Sequence, residues 1–258
     1  MRIAVIGAGA VGSVLGSLLW RAGEDVVLPG RQIISGVVAL HAQFLVAGHV
    51  LLMQSEGLLI GRPDGQNDEL VERVRAVLDK AVPTSVTANI RGARWTKLIV
   101  NLNNVLPALC DASFKQVYRD PFLRGLAVGL MREGIAVAER AGIRLEPIPG
   151  TSLPLVRLVA FLPAALAGAV AARKAARLET RWPLKGSTWQ SVARGQPTEV
   201  DYLNGELVRL GRQLRVPTPL NALVVALMQR VTSARRYLAI REIEQAFHEA
   251  QGRSLNAA

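Results

Sequence analysis

Cysteine, histidine and aromatic residues are all scarce in this chain of 258 residues. The single cysteine, Cys110, excludes an internal disulfide and favours a reducing compartment such as the cytoplasm. It lies among Leu106, Leu109 and Ala112, so we interpret it as a packed core thiol. The three histidines lack the spacing of metal ligands, so no metal site is predicted. Aromatic residues form 5% of the chain and do not alternate with basic ones, which argues against a nucleic-acid partner.

A long uninterrupted apolar run is also missing. Residues 152–172 are nearly all apolar, but Pro154 and Pro163 interrupt them and Arg157 adds a charge. We therefore interpret this stretch as a helical segment that is buried or covers a groove, and we predict no membrane span. Near the N-terminus, glycines interrupt what would be the core of a signal peptide, so no targeting segment is predicted either.

Apolar and basic residues are what the chain has in plenty. Half of its residues are hydrophobic, which indicates a globular protein with room for one or two domains. The 31 Lys and Arg residues outnumber the 20 Asp and Glu residues and give a formal net charge of +11. This excess favours anionic partners such as phosphates or carboxylates.

A glycine-rich stretch near the N-terminus has the pattern of a dinucleotide-binding loop. Residues 2–6 form a short run typical of a buried parallel strand, and apolar residues with helical spacing follow at 14–19. In this context the glycines allow a tight turn and bring pyrophosphate oxygens close to a helix N-terminus. The predicted cofactor-binding residues of this loop are Gly7, Gly9, Ala10, Val11 and Gly12.

The end of the second predicted strand, at residues 24–28, indicates which dinucleotide is bound. A site that prefers NAD usually has an acidic residue here, which holds the ribose 2′-hydroxyl. This chain instead has Pro29, Gly30 and Arg31. A guanidinium suits a 2′-phosphate, so the sequence predicts NADP(H) rather than NAD(H).

The rest of a nucleotide-binding sheet is missing after Arg31. Residues 36–61 predict an antiparallel meander without crossover helices, with a turn at 47–48. A helix follows over 68–80, and residues 83–90 look extended. We therefore predict a shortened NADP-binding domain at residues 1–91 and a helical domain at residues 92–258. The predicted inner face of the helix consists of Leu70, Val71, Val74, Val77 and Leu78.

An ammonium and two amides share one stripe of the helix predicted around residues 94–106. At roughly 100° per residue, Lys97, Asn101 and Asn104 align, whereas Asn103 points away. A buried lysine with polar neighbours can act as a general acid. A lysine that extends to solvent beside two surface amides fits the same pattern, so both interpretations stay open here.

Helix starts are marked in the second half of the chain. Asp120-Pro121 predicts an N-cap and the first residue of a helix that ends near residue 142. Thr198 and Asp201 have the spacing of a capping box, which predicts a helix through residue 210. Further helices are predicted after Thr218 and over residues 234–250.

Two more polar residues have ordinary structural explanations when each is taken alone. Ser187 could be a loop hydroxyl, and Glu199 could be an acid that interacts favourably with the positive end of a helix. Their order along the chain is more specific than either residue. The Trp95-x-Lys97-x-x-x-Asn101 motif comes first, Ser187 follows, and Thr198-Glu199-x-Asp201 comes last. With the N-terminal glycine loop, this order resembles the ketopantoate reductase (2-dehydropantoate 2-reductase) family over nearly the whole chain.

The resemblance implies an α/β fold and an activity. The fold would consist of an N-terminal Rossmann-like domain, shortened after its second strand, and an all-α C-terminal domain. The activity would be NADPH-dependent reduction of 2-dehydropantoate to pantoate, on the route to pantothenate and coenzyme A. Lys97 would protonate the carbonyl oxygen, and Glu199 would orient the substrate and the lysine. The resemblance further implies that Asn101 and Ser187 bind substrate and that Arg31 holds the cofactor with the glycine loop. Asn104, on the same helical stripe, is predicted to bind substrate with them.

Two alternatives stand beside this hypothesis. One is a related 2-oxo acid reductase with another substrate, because a shared fold does not fix the substrate. The other is a non-catalytic remnant, because roughly 60–70 residues of the six-strand nucleotide-binding pattern are absent. The expected partner is a small 2-oxo acid, and a homodimer is compatible with the resemblance.

Overall fold

The computed structural model describes residues 33–46, 49–163, 166, 167, 169, 173 and 183–255. The strands and the glycine loop predicted within residues 2–28 lie outside these described residues. The chain divides into two compact units. The first consists of residues 1–97 with 144–153, and the second of residues 98–143 with 154–258. The predicted division after residue 91 differs from this one in its position and in the placement of residues 144–153.

The first unit contains a three-stranded sheet in the order β1-β2-β3. Strands β1 (Ser35–Val46) and β2 (His49–Gly61) pair antiparallel, as predicted. Strand β3 (Thr84–Val86) pairs parallel to β2. A parallel pair needs a crossover connection, which helix α1 (Glu69–Leu78) provides. The predictions of an antiparallel pair without a crossover helix within residues 36–61, of a helix over 68–80 and of an extended segment over 83–90 are confirmed.

An irregularity in the β1–β2 pairing occurs at Gly57. The register shifts between the pairs Val38–Leu58 and Leu40–Ser55, so two residues of β2 face one of β1, as in a β-bulge. Gly57 has a φ of +117°, and a Cβ atom there would lie 2.6 Å from the Pro83 carbonyl oxygen. The glycine thus allows the chain that enters β3 to pass close to β2.

Helix α1 begins as its sequence predicts but buries less of its apolar face. The Asp68 carboxylate caps the helix by accepting from the Val71 amide at 3.1 Å, and it pairs with the buried Arg62 at 2.7 Å. Of the five residues predicted to face inward, only Val71 is fully buried. Leu70 and Val77 are 42% and 65% exposed, so this part of the prediction was wrong. Among the described residues, only three strands offer a surface on which this helix can pack.

Helix α2 (Ile90–Asn101) crosses the boundary between the units, which falls after Lys97. Asn89 caps its start, since its Oδ1 accepts from the Gly92 amide at 3.1 Å and its Nδ2 donates to the Arg144 carbonyl at 2.8 Å. The apolar cluster of the first unit consists of Val37, Leu59, Ile90, Ala93 and Ile148.

The described part of the second unit is helical, as predicted. The end of α2 is followed by a 3-10 turn (Leu102–Asn104) and helix α3 (Val105–Cys110). The later helices are α4 (Phe114–Arg119), α5 (Pro121–Arg140), α6 (Leu153–Phe161), α7 (Gly186–Ala193), α8 (Glu206–Leu214), α9 (Pro219–Ala234) and α10 (Ile240–Leu255).

The predicted helix starts at Asp120 and Thr218 are confirmed. The Asp120 carboxylate accepts from the Leu123 amide at 2.9 Å, and a proline takes the first helical position in both α5 and α9. The last helix begins at Ile240 and not at residue 234. Arg235 adopts the left-handed conformation with a φ of +48°, which ends α9 and separates it from α10.

Helix α5 is central to the second unit and packs against the 3-10 turn, α4, α8 and α9. Its contact with the 3-10 turn depends on Gly134, where a Cβ atom would lie 2.8 Å from Cδ1 of Leu102. The Leu102 side chain therefore packs directly against the backbone of α5, and a larger residue at 134 would displace it. The large side chains that are fully buried in this unit include Ile99, Leu102, Leu106, Leu109, Leu123, Leu130, Leu207, Leu227, Met228 and Ile243.

A wide π-helical turn (Asp201–Gly205) precedes α8. The predicted capping box at Thr198 was wrong, because this turn starts without a side-chain cap. The backbone carbonyl of Glu199 instead accepts from the amides of Tyr202 and Leu203, both at 3.0 Å. Turns of this kind are rare and often mark functional sites, and this one begins directly after Glu199.

The described residues lack a membrane-spanning helix and a metal-binding cluster. In that part of the chain no helix is both long enough and apolar enough to cross a bilayer. The apolar run that starts at residue 152 begins with α6, a helix of nine residues. The same residues contain no group of His, Cys, Asp or Glu side chains arranged to hold a metal ion.

Candidate active site

Lys97 lies half-buried on α2, one turn before Asn101. Its neighbour Thr96 is fully buried and its hydroxyl donates to the Gly92 carbonyl at 3.1 Å. Burial lowers the pKa of the Lys97 ammonium. Within the described part of the chain, this ammonium has no carboxylate or hydrogen-bond partner to offset the lost hydration. A lowered pKa makes an ammonium a better proton donor near neutral pH, which favours the general-acid interpretation over a lysine that extends to solvent.

The three asparagines after Lys97 separate into two groups, as the helical stripe predicts. Asn101 and Asn104 are half-buried, whereas Asn103 is 3% exposed and points into the protein. The Nδ2 of Asn103 donates to the Tyr118 hydroxyl at 3.4 Å. Burial raises the pKa of that hydroxyl, so it stays neutral and able to accept. Asn103 is thus a core residue, and Asn101 and Asn104 remain available to a ligand.

Asn104 and Ser187 are brought together although they are far apart in the sequence. The Nδ2 of Asn104 donates to the Ser187 hydroxyl oxygen at 3.5 Å. Ser187 is exposed in the first turn of α7 and is not in a loop. The residue before this helix, Lys185, makes no side-chain cap, so no capping side chain accepts from the first amides of α7. A hydroxyl, an amide and a helix N-terminus are suited to a carboxylate.

An ion pair joins the end of α3 to the start of α7. Oδ1 of Asp111 accepts from the Lys185 ammonium at 2.6 Å and from the Trp189 indole at 2.7 Å. The Lys185 ammonium also lies 4.3 Å from the centre of the Trp189 ring. The hydrogen bond from Lys185, followed by that from Trp189, lowers the pKa of Asp111 despite some desolvation. These contacts fix the first turn of α7, and with it Ser187, beside Asn104.

Glu199 is exposed and lies directly before the π-helical turn. Among the described residues of the second unit, its carboxylate makes no hydrogen bond to Asn101, Asn104 or Ser187. The structure therefore brings Ser187 to Asn104 but does not bring Glu199 to either. The role predicted for Glu199 stays a prediction.

The residues predicted to bind the cofactor lie outside the described part of the chain. They are Gly7, Gly9, Ala10, Val11, Gly12 and Arg31.

A buried polar network in the second unit has no counterpart among the sequence predictions. Asn204 and Asn221 are 1% and 0% exposed and are hydrogen-bonded to each other at 2.9 Å, and Asn221 is bonded in turn to Glu133. A signal for Glu133 was present in the sequence. It lies on the apolar stripe of α5 with Leu126, Leu130 and Val137, where a carboxylate needs a buried partner.

An open cavity of about 850 Å³ in the second unit contains none of the predicted site residues. Arg235, Arg236, Asp201 and Tyr237 contribute to its lining. Arg236 is already paired with Glu242 at 2.7 Å. We assign no chemistry to this cavity, because its charged groups are exposed and partly neutralised.

Comparison with known proteins gives a consistent result. The sequence model of the family described as "Ketopantoate reductase PanE/ApbA C terminal" matches residues 89–232. The 2-dehydropantoate 2-reductase of Pyrococcus horikoshii is 28% identical over 210 residues, which cover 80% of this chain and 62% of that protein. The alignment with the Pyrococcus abyssi 2-dehydropantoate 2-reductase runs over 312 positions at 24% identity. That length exceeds the 258 residues of this chain, so the relative has residues without a counterpart here.

Solved structures show the same fold. A PanE/ApbA family ketopantoate reductase from Ralstonia eutropha JMP134 superposes with a TM-score of 0.61 at 28% identity, over 78% of this chain and 59% of its own. A D-mandelate dehydrogenase in complex with NADH and anilino(oxo)acetate gives a TM-score of 0.64 at 19% identity, over 80% of this chain and 62% of its own, which shows the fold alone.

The chain spans about six tenths of the length of the Pyrococcus horikoshii and Ralstonia eutropha proteins. The family model covers more than half of the chain and includes every site residue predicted between Lys97 and Glu199. By this match, and by the order of Lys97, Asn101, Ser187 and Glu199 along it, the chain belongs to the ketopantoate reductase family.

Proposed function

We propose that this protein reduces 2-dehydropantoate to pantoate with NADPH. The observation that carries the proposal is the half-buried Lys97, whose pKa is lowered by burial and which lies one helical turn before the Asn101 amide. Reduction of a ketone needs such a group, because hydride addition leaves negative charge on the carbonyl oxygen. The Lys97 ammonium donates a proton to that oxygen, and the amine then regains a proton from solvent.

The substrate carboxylate is assigned to the start of α7. Ser187 and Asn104 supply a hydroxyl and an amide at hydrogen-bonding distance from each other, and the first amides of α7 add donors. The excess of basic residues in the chain also favours an anionic substrate. In this proposal Asn101 binds the oxygen that Lys97 protonates, and Glu199 orients the substrate hydroxyl.

The cofactor assignment depends on residues outside the described part of the chain. The glycine loop at 7–12 would hold the pyrophosphate, and Arg31 would hold the 2′-phosphate. A reduced nicotinamide, when bound, supplies the hydride. Hydride transfer to a ketone also needs a proton donor and groups that bind the substrate. Lys97, Asn101 and Asn104 offer these groups, so the residues present fit a reduced nicotinamide cofactor.

The test is a direct assay of the full chain. NADPH binding is measured by fluorescence titration, and NADPH oxidation is followed with 2-dehydropantoate, pyruvate and 2-oxo-2-phenylacetate. We expect saturable NADPH binding, weaker NADH binding and the highest kcat/KM with 2-dehydropantoate. Preference for 2-oxo-2-phenylacetate would instead support a related 2-oxo acid reductase. That compound is included because the structural neighbour D-mandelate dehydrogenase has a matching fold.

A second candidate, a non-catalytic remnant, is favoured by the residues of the Pyrococcus abyssi relative that have no counterpart here. NADPH titration separates the two candidates, because a remnant that lacks part of its nucleotide domain binds no cofactor at micromolar concentration. Light scattering in the same experiment tests for a homodimer, the assembly named for the ketopantoate reductase of Staphylococcus aureus. A cytoplasmic location, favoured by the lone Cys110, belongs to the same proposal.

A further inference from the structure

A chain of buried hydrogen bonds runs through the second unit behind the substrate amides. The Nδ2 of Asn204 donates both to the Leu102 carbonyl at 3.1 Å and to Oδ1 of Asn221 at 2.9 Å. The Nδ2 of Asn221 donates to the Glu133 carboxylate at 2.7 Å and to the Leu130 carbonyl at 3.3 Å. Four segments are thereby joined: the 3-10 turn, the π-helical turn, α5 and α9.

The network starts from a charged group. Glu133 also accepts from the backbone amides of Leu220 and Asn221, at 2.8 and 2.9 Å, and so caps α9. All of these partners are donors, which matches an ionised carboxylate that can only accept. The orientation of the Asn221 amide follows, since its Nδ2 must face Glu133 and its Oδ1 must face Asn204. The direction of every bond in the chain is therefore determined.

One end of the network lies at the proposed substrate site. Leu102 directly follows Asn101 and is the first residue of the turn that ends at Asn104. Leu102 is 0% exposed, so its carbonyl has no water to replace the Asn204 amide. Loss of this bond would remove the Asn204 amide from a buried carbonyl at the point where α2 changes into the 3-10 turn. That change of helix type sets where Asn104 points.

The middle of the network lies in the π-helical turn that begins after Glu199. Asn204 is the buried residue of this turn, and Asp201 and Tyr202 of the same turn are exposed. A helix gains little from a wide turn of poorer hydrogen-bond geometry, so a specific contact has to stabilise it. The two bonds donated by Asn204 are such contacts. They hold the segment that follows Glu199 against the segment that carries the two amides.

We propose that Asn204 is a positioning residue for the reaction. With Asn221 and Glu133, it fixes the turn that carries Asn101 and Asn104 relative to the segment that carries Glu199. The proposal rests on the proposed function for its kinetic part. Asn204 itself touches no substrate, so its effect must pass through the two substrate amides.

A double-mutant cycle tests this coupling. We expect Asn204→Ala to lower kcat/KM for 2-dehydropantoate by about 10- to 100-fold, because small displacements of binding groups are costly, and to leave the KM for NADPH within twofold. In an Asn104→Ala background the same change should cost several-fold less, since one of the two amides that it positions is already absent. Equal losses in both backgrounds would show a purely structural role and overturn the proposal.

Val224→Ala is the matched control. Val224 is 0% exposed on α9, one turn after Asn221, and takes no part in the network. It should lower the melting temperature as Asn204→Ala does, but change kcat/KM less than twofold at 25 °C. If Asn204→Ala does not fold, Asn204→Ser replaces it in the cycle, because the shorter hydroxyl keeps one donor. An equal kinetic effect of the control would overturn the proposal as well.

Hydrogen exchange tests the positioning without relying on activity. We expect the backbone amides of residues 102–105 to exchange at least about tenfold faster in Asn204→Ala than in Val224→Ala, since only the first change releases the Leu102 carbonyl. If the wild-type chain reduces no 2-oxo acid, the proposed function fails and this measurement still decides the positioning claim. Unchanged exchange at 102–105, with or without activity, overturns it.

Discussion

Removal of the Glu133 carboxylate should destabilise the second unit more than any surface change on the same helix. Glu133 accepts three hydrogen bonds, from the Leu220 amide and from the backbone and side-chain amides of Asn221. Glu133→Ala leaves the start of α9 without its cap and takes one acceptor from a fully buried asparagine. No nearby side chain among the described residues replaces the lost acceptor, because Asn221 already uses its own oxygen for Asn204.

The size of the effect follows from these bonds. A hydrogen bond to a charged group contributes about 1.5–3 kcal/mol, and loss of a helix cap costs about 1 kcal/mol. The three hydrogen bonds share one carboxylate, and partial burial makes its charged form less favourable. Their contributions to the free energy of unfolding therefore do not add fully. We expect Glu133→Ala to lower the free energy of unfolding by about 2–4 kcal/mol. That is a large share of the roughly 5–15 kcal/mol that stabilises a typical domain.

The pH dependence provides an independent check. Burial raises the pKa of Glu133 above its ordinary value of 4.5, although its three N–H donors act in the opposite direction. The folded protein then binds this proton more tightly than the unfolded chain does. The contribution of the carboxyl to stability is largest below pH 4.5, falls as the pH rises through the raised pKa, and is constant above it. Glu133→Gln, which has no proton to release, should lack this fall.

Urea unfolding followed by tryptophan fluorescence and circular dichroism measures these differences. Glu139→Ala is the control, because Glu139 lies exposed on the same helix and should change stability by less than about 0.5 kcal/mol. Unfolding free energies that are equal in Glu133→Ala and Glu139→Ala would refute the reasoning. A difference between wild type and Glu133→Gln that grows in favour of wild type with rising pH would also refute it.

Three further predictions concern single residues. Burial raises the pKa of the Cys110 thiol to about 11. Its alkylation by iodoacetamide at pH 8 should therefore be about 100-fold slower than that of an unperturbed thiol. An alkylation rate within tenfold of the unperturbed rate would contradict this. Arg31→Ala should weaken NADPH binding by about 1.5–3 kcal/mol and leave NADH binding unchanged in fluorescence titrations, whereas equal losses for both cofactors would disprove the 2′-phosphate contact. Asp111→Asn should raise the KM for the 2-oxo acid several-fold, because the contacts of Asp111 hold the helix turn that carries Ser187. The free energy of unfolding should change by less than about 1 kcal/mol, because the ion pair with Lys185 is half-exposed. An unchanged KM would show that this ion pair does not set the position of Ser187.

Features determined by neighbouring residues were predicted well from the sequence. The cap at Asp120 and the proline at the start of α9 depend on side chains within one helical turn of each other. The separation of Asn103 from Asn101 and Asn104 depends only on helical geometry. These features need no knowledge of distant contacts, and the structure shows them where the sequence places them.

Features that depend on distant packing were missed or wrong. The apolar spacing of α1 predicts a broad buried face, but the burial depends on what the helix packs against, and Leu70 and Val77 remain exposed. The spacing of Thr198 and Asp201 fits a capping box, yet the chain there forms a wide turn around the buried Asn204. A local pattern cannot show that a partner more than a hundred residues away will compete with it.

The candidate site combines both kinds of information. Asn104 and Ser187 were predicted as substrate residues, and the structure places their side chains within hydrogen-bonding distance. The reason for that proximity, the contacts of Asp111 with Lys185 and Trp189, has no signature in the sequence. For Lys97 the sequence left two interpretations open, and its partial burial favours the general acid.

Steady-state kinetics of Lys97→Ala test the central claim most directly. We expect kcat for 2-dehydropantoate to fall by about 10²–10⁴, as for the loss of a general acid, and the affinity for NADPH to change less than twofold. Lys80→Ala, at an exposed lysine, should leave kcat unchanged. Because only the ammonium can donate, and burial lowers its pKa, wild-type kcat should fall as the pH rises through a value below the ordinary 10.5. A Lys97→Ala variant that keeps its activity within a few-fold, with the same pH profile as wild type, would contradict the account.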